Sequence, residues 1–223
     1  MYDRVTATYE CLVNHNARGE MADSLAMTCM NRAGALMNQG DLRGAIEEHD
    51  CAIEILERLV NQEGRRDLTV ALATSYENRA VTHEWIRHIL DSIGGHDRAI
   101  RIYERLVNRE GRSELAGHLA TAYMNRAIAL MKQGNLRGSI EGHARAIKIF
   151  EHLVNQDGRS ELVDHLAKAR AFLAMVLRDT DDPRASMEAR DAVKNLESEI
   201  ARTQRADLKR TLEWMREYLR ELL

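Results

Sequence analysis

The segment His83-Glu84-Trp85-Ile86-Arg87-His88 sets two imidazoles and a carboxylate close together in sequence. A helical zinc motif places its histidines four apart, on one face. Here the interval is five, and five steps of about 100° turn the second ring away from the first. The spacing therefore predicts no metal site. Cys11, Cys29 and Cys51 form neither a CxxC nor a CxxH pair, so no zinc cluster is implied, and an odd count does not describe a disulfide framework. No Gly-rich phosphate loop follows a strand and no nucleophile elbow is present. The Ser and Cys positions have no partnered base. These absences predict no cofactor and no catalysis. What remains is an Asn-Arg pair that recurs three times: Asn31-Arg32, Asn78-Arg79 and Asn125-Arg126. An amide carries donors and an acceptor together, and Asn is mildly unfavourable inside a helix, so each has a tertiary use.

The rest of the chain must position those pairs. It has 223 residues with 32 Lys+Arg against 35 Asp+Glu, a formal charge of −3. That balance argues against nucleic acid and against a membrane surface, both of which call for clustered positive charge. One Pro and 4% aromatics disfavour turn-rich β architecture and favour long helices. The first residues lack a basic region followed by an apolar one, so no secretory signal is read. No apolar run approaches the ~20 residues that cross a bilayer. A reducing, cytoplasmic setting is the expectation.

The organisation is periodic. Tyr9-Glu-Cys-Leu-Val-Asn14 recurs as Leu56–Asn61, Tyr103–Asn108 and Phe150–Asn155, each 47 residues after the last. Residues 56–80 match 103–127 at 16 of 25 positions, and 31–55 match 125–149 at 17 of 25. Tandem duplication of one supersecondary unit follows. Ser113–Gln133 and Leu136–Asn155 carry helical periodicity. Gly40 and Gly134 end the first helix of a unit, Asp41 and Asn135 cap the second, and Ser113 and Ser160 cap the next unit. A lone hairpin cannot bury its apolar face, so stacked neighbours must supply the core. His49, His96 and His143 recur once per unit, as do His118 and His165, and read as packing residues. In the second unit the breaker moves to Gly94-Gly95. Its first helix is expected to run on by up to two turns, and its second to start near His96.

Inside each hairpin, Tyr123…Ala127…Gly134…Ser139…Ala146 and Cys29…Ala33…Gly40…Ala45…Ala52 resemble the tetratricopeptide repeat, over about residues 20–200. There are departures. The period is 47 rather than about 34, the closing proline is missing, and arginine stands where the family has leucine before the small residue. HEAT-type repeats, with a similar period, are the alternative architecture. The resemblance implies an all-α, right-handed α-solenoid of about four antiparallel helical hairpins with a C-terminal capping helix. The domain reading is one repeat domain over 1–223: a partial helix at 1–14, repeats at 15–61, 62–108, 109–155 and 156–202, and the cap at 203–223. The partial start is either a cap or the edge of a longer array.

The resemblance extends to kinesin-light-chain-like arrays, in which an Asn of the first helix grips the backbone of a bound peptide. Carried over by position, Asn31, Asn78 and Asn125 become peptide contacts. The alternative is that they bridge helices. The stripe of Thr121, Met124, Ile128 and Met131, with Met27, Met30 and Met37, then lines the inner groove, and Thr74, Glu77, Val81 and Glu84 bring negative charge to its middle. The implied partner is a peptide with apolar anchors and a basic centre, and the implied function is a non-catalytic protein-interaction scaffold. Leu208, Leu212, Met215, Leu219 and Leu222 alternate at spacings of four and three. They read either as the packed face of a cap or as a seam for self-association, so a self-associating element is the second functional reading. A sensor segment of a larger signalling protein is the third.

Overall fold

The computed structural model describes residues 19–223; the partial helix expected at 1–14, and Cys11, lie outside them. Among the described residues the order is α1 (Gly19–Asn38), α2 (Leu42–Asn61), α3 (Thr69–Trp85), α4 (Ile89–Asn108), α5 (Ala116–Gln133), α6 (Leu136–Asn155), α7 (Val163–Arg178), α8 (Ala185–Thr203) and α9 (Ala206–Tyr218). The fold is all-α and of the helical-repeat solenoid class. The helices gather into two compact units, one ending at Ile102 and one running Tyr103–Leu223. In the first, α1 packs on α2 and α2 on α3; in the second, α5, α6, α7, α8 and α9 pack in succession.

Amphipathic spacing explains the packing. On α2, Ala45, His49, Ala52, Ile53, Ile55, Leu56 and Leu59 are buried, a stripe recurring every three to four residues. Leu56 and Leu59 are fully covered, each stabilising by about 1.5–3 kcal/mol. Alanines let the helices come close, and at two places only glycine fits. A Cβ on Gly95 would lie 2.8 Å from the Ala80 Cβ, and one on Gly142 would lie 2.9 Å from that of Ala127. Gly94-Gly95 therefore does not break the chain. Both residues sit inside α4, and Gly95 serves helix packing.

The reversal inside each hairpin falls instead at a fixed phase of the period. Gly40, Arg87, Gly134 and Asp181 are 47 residues apart, and all have left-handed backbone, with φ of 82°, 63°, 87° and 54°. After each, an N–H reaches back to the carbonyl five residues earlier: Asp41 to Leu36, His88 to His83, Asn135 to Leu130 and Asp182 to Leu177, all at 2.9 Å. These are Schellman closures. The second unit thus departs from expectation. Its first helix stops at Trp85 and its second starts at Ile89, because the closure requires a left-handed φ rather than a glycine, and Arg87 adopts it.

Asp41 accepts from the Gly44 N–H at 2.9 Å and Asn135 from that of Gly138 at 3.0 Å, the expected caps. Ser113 and Ser160 do not cap. They open short 3-10 turns, Ser113–Leu115 and Ser160–Leu162, ahead of α5 and α7. The Arg112 and Arg159 guanidiniums pair with Glu114 and Glu161 there, both at 2.9 Å.

His49, His96, His143 and His165 are packing residues, whereas His118 is exposed, a correction to its expected role. His49, His96 and His143 are buried, His118 stacks on Tyr103 and His165 lies against Phe150. Burial pushes His143 down to about 4, and burial aided by the Arg79 charge pushes His49 down to about 4. The helix α9 is a cap. Leu208, Leu212, Met215 and Leu219 are buried against Val163, Ala167 and Ala171 of α7 and Ala189, Ala192 and Leu196 of α8, with Leu222 packed at the edge. The self-association seam is corrected accordingly: these side chains are consumed within their own unit.

Replacing Arg87 by Gly removes the left-handed cost of about 1–2 kcal/mol and adds a glycine's chain entropy of about 0.5–1 kcal/mol. The net expectation is stabilisation by about 0.5 kcal/mol in urea denaturation, whereas Gly142→Ala loses about 1–3 kcal/mol to overpacking. Because His143 and His49 titrate near 6.5 when unfolded and near 4 when folded, the unfolded state binds more protons between those values. Stability therefore falls as pH drops from about 6.5 to about 4. A His49→Gln/His143→Gln variant should show a flatter stability–pH profile across that window.

Candidate functional site

One polar contact repeats at the base of the helix-A surfaces. The Tyr76 hydroxyl donates to Glu57 and the Tyr123 hydroxyl to Glu104, while at the next equivalent position the Arg170 guanidinium donates to Glu151. Each partner is 19 residues away and ties a first helix to the preceding second helix. Arg98 lies over the Tyr76 ring at 5.3 Å and Arg145 over the Tyr123 ring at 5.6 Å, contacts of the cation–π kind. Burial, with the adjacent Glu second, raises both phenols, so they stay protonated donors. Arg170 also meets Glu188 at 2.7 Å and Asp191 at 3.3 Å. In the first hairpin the Tyr and Arg slots are Cys29 and Cys51, whose sulfurs are 3.2 Å apart. Their shared hydrogen bond lowers Cys51 and raises Cys29. All these groups clamp helices.

The predicted peptide-contact residues lie on the same first helices. Asn31 and Asn78 are exposed and Asn125 is half-buried. Met27 is 47% exposed, and Met30, Met37, Ile128 and Met131 are half-buried. The Met37 sulfur accepts from the Thr82 hydroxyl at 3.2 Å. Met124 is buried and belongs to the core, a correction to its place in the lining. The acidity expected from the second unit is partly spent internally. Glu77 lies 2.9 Å from His96 Nδ1, and Glu84 is half-buried. The arginines beside the amides form ion pairs, Arg32 with Glu48 of its own hairpin and Arg79 with Asp50 of the preceding helix.

The expectation that His83 and His88 point apart is corrected. That reasoning assumed a continuous helix, whereas α3 ends at Trp85 and Arg87 folds the chain back. The two rings stack at 6.0 Å, 16° from parallel, and His88 Nδ1 lies 3.6 Å from Asp91 Oδ2. The signal was present in the sequence as the local loss of the Gln-Gly-Asn-Leu-Arg-Gly pattern at residues 86–91. A second feature that sequence reasoning missed is an aromatic run on the C-terminal helices, Phe172 to Trp214 to Tyr218. Trp214 borders an open hollow also lined by Asp164, Lys168, Asp207, Arg210 and Thr211. Among the described residues no helix is long and apolar enough to cross a membrane.

No protein-family model and no curated protein sequence matches the chain. Solved structures do. BtubC (BKLC) from P. vanneervenii superposes with a TM-score of 0.67 at 18% identity, over 82% of this chain and 67% of that one. A kinesin-light-chain candidate from Podosopora anserina with nearly identical TPR-like repeats superposes with a TM-score of 0.52 at 15% identity, over 91% of this chain and 90% of that one. At such identities the likeness is one of fold. The chain folds as a TPR-like array of helical hairpins.

Proposed function

We propose that this chain is a non-catalytic protein-interaction scaffold whose first-helix surfaces hold a peptide segment of a partner protein. One observation carries the reading: the same amide stands at the same place on three successive first helices, Asn31, Asn78 and Asn125, two of them exposed. An amide that donates and accepts can satisfy a peptide backbone without reading its side chains. The half-buried Met30, Met37, Ile128 and Met131 supply soft apolar contact beside it, and methionine suits surfaces that accept varied partners. The TPR-like fold supports the same reading. With Glu77 engaged by His96 and Met124 in the core, the contact is carried by the amides and the remaining Met and Ile side chains rather than by charge.

The test is a ligand selected from a displayed peptide library against the full chain. Substituting Asn31, Asn78 and Asn125 together by Ala removes up to three hydrogen bonds of about 0.5–1.5 kcal/mol each. Binding to the selected peptide should weaken about tenfold or more while the helical circular dichroism is unchanged. Undiminished affinity in the folded triple variant overturns the peptide-backbone role.

A further inference from the structure

We propose that the α3–α4 turn is a binding site for a late first-row divalent metal ion of the zinc class, held by His83, His88 and Asp91. One ligand atom from each residue lies within 4.8 Å of the other two. Around a single zinc with bonds of ~2.0–2.2 Å, tetrahedral neighbours stand about 3.3–3.6 Å apart. The His88–Asp91 separation of 3.6 Å is already close to that. His88 and Asp91 are exposed, so both turn freely to close the remaining gap onto His83. The half-buried His83 is the fixed member, and its Nδ1 is buried without a hydrogen-bond partner.

The comparison between repeats supplies independent support. The positions of His83, His88 and Asp91 are Leu36, Asp41 and Gly44 in the first hairpin, and Leu130, Asn135 and Gly138 in the third. All three ligands therefore arrive together in one repeat, in slots that elsewhere hold a leucine (Leu36 half-buried, Leu130 buried), a helix cap and a close turn. A histidine in a leucine slot loses apolar burial, and Arg87, like Asp181 at the fourth equivalent position, holds a left-handed φ (63° here) where Gly40 and Gly134 are free of that cost. Both departures bring the two imidazoles face to face. The groups around His83 are Asp91, Arg79, Asp50 and His88, and burial keeps its imidazole toward the neutral form that a metal requires. Two imidazole nitrogens and one carboxylate oxygen suit Zn²⁺, Co²⁺, Ni²⁺ or Cu²⁺ and not Ca²⁺ or Mg²⁺. Three protein ligands leave a coordination position open to solvent or to a partner's side chain.

The experiment is calorimetric titration of the tag-free full chain with ZnCl₂ near neutral pH, with Co²⁺ absorption as a second readout. The expected result is one ion per chain, an increase in Tm with zinc, and cobalt bands without thiolate charge transfer. His88→Asn and Asp91→Gly restore the residues of the sister repeats at exposed positions and leave the fold intact. Each should weaken zinc binding at least tenfold and abolish the zinc-dependent rise in Tm, and His83→Leu should do the same. The proposal is overturned by no saturable zinc binding, by equal binding in these variants, or by a sulfur-to-cobalt charge-transfer band that places the ion on the cysteines.

Discussion

The fold depends on reversing direction within about three residues at one fixed phase of a 47-residue period. Two helices of 16 to 20 residues stay in register only if the turn between them is closed the same way each time. Four backbone bonds of 2.9 Å, from Asp41, His88, Asn135 and Asp182, do this. The Schellman geometry demands a left-handed residue just before each, and the chain meets that demand with Gly, Arg, Gly and Asp. Glycine is the easy solution, but the bonds and the packing of the flanking helices outweigh a cost of about 1–2 kcal/mol. Once the reversal is set, Gly95 faces Ala80 and Gly142 faces Ala127, and the close approach of the helices in those two hairpins follows.

The same phase lock governs the polar groups. Because every hairpin has the same register, residues 19 apart across a helix junction always meet. The slot accepts Tyr76 on Glu57, Tyr123 on Glu104 and Arg170 on Glu151 without moving the helices. Its cation–π partner Arg98 or Arg145 becomes Cys51 in the first hairpin, opposite Cys29. Periodic duplication thus fixes where contacts occur and leaves their chemistry open. Buried histidines occupy another such slot, lying against neighbours that differ from unit to unit: Glu77 faces His96, while Phe172 and the Ser139 carbonyl face His143.

Much of this was legible in the residues. The period, the hairpin helices, the caps Asp41 and Asn135, and the packing role of His49, His96 and His143 all follow from self-similarity and helix-end chemistry. The failures share one physical cause. Gly94-Gly95 read as a turn because glycine serves both turns and tight helix contacts, and only neighbouring Ala80 distinguishes the two. Arg87 did not read as a left-handed residue because nothing local asks for one; the closure bond to His83 does. Met124 read as groove lining because its stripe borders the exposed face, and the burial boundary falls within that stripe. Asn31 and Asn78 reach the surface as their polarity suggests.

An array stabilised by neighbour contacts leaves its turns free to vary, and that freedom has a direction here. In the first and third hairpins the residues after the left-handed glycine serve folding alone: a cap side chain and a small residue beside it. In the second, the backbone closure is retained by Arg87 while the cap slot, the small-residue slot and a core leucine slot are given to His88, Asp91 and His83. Three substitutions that converge on one point, one of them at the expense of core packing and beside a strained residue, are what selection for a ligand at that point would leave behind.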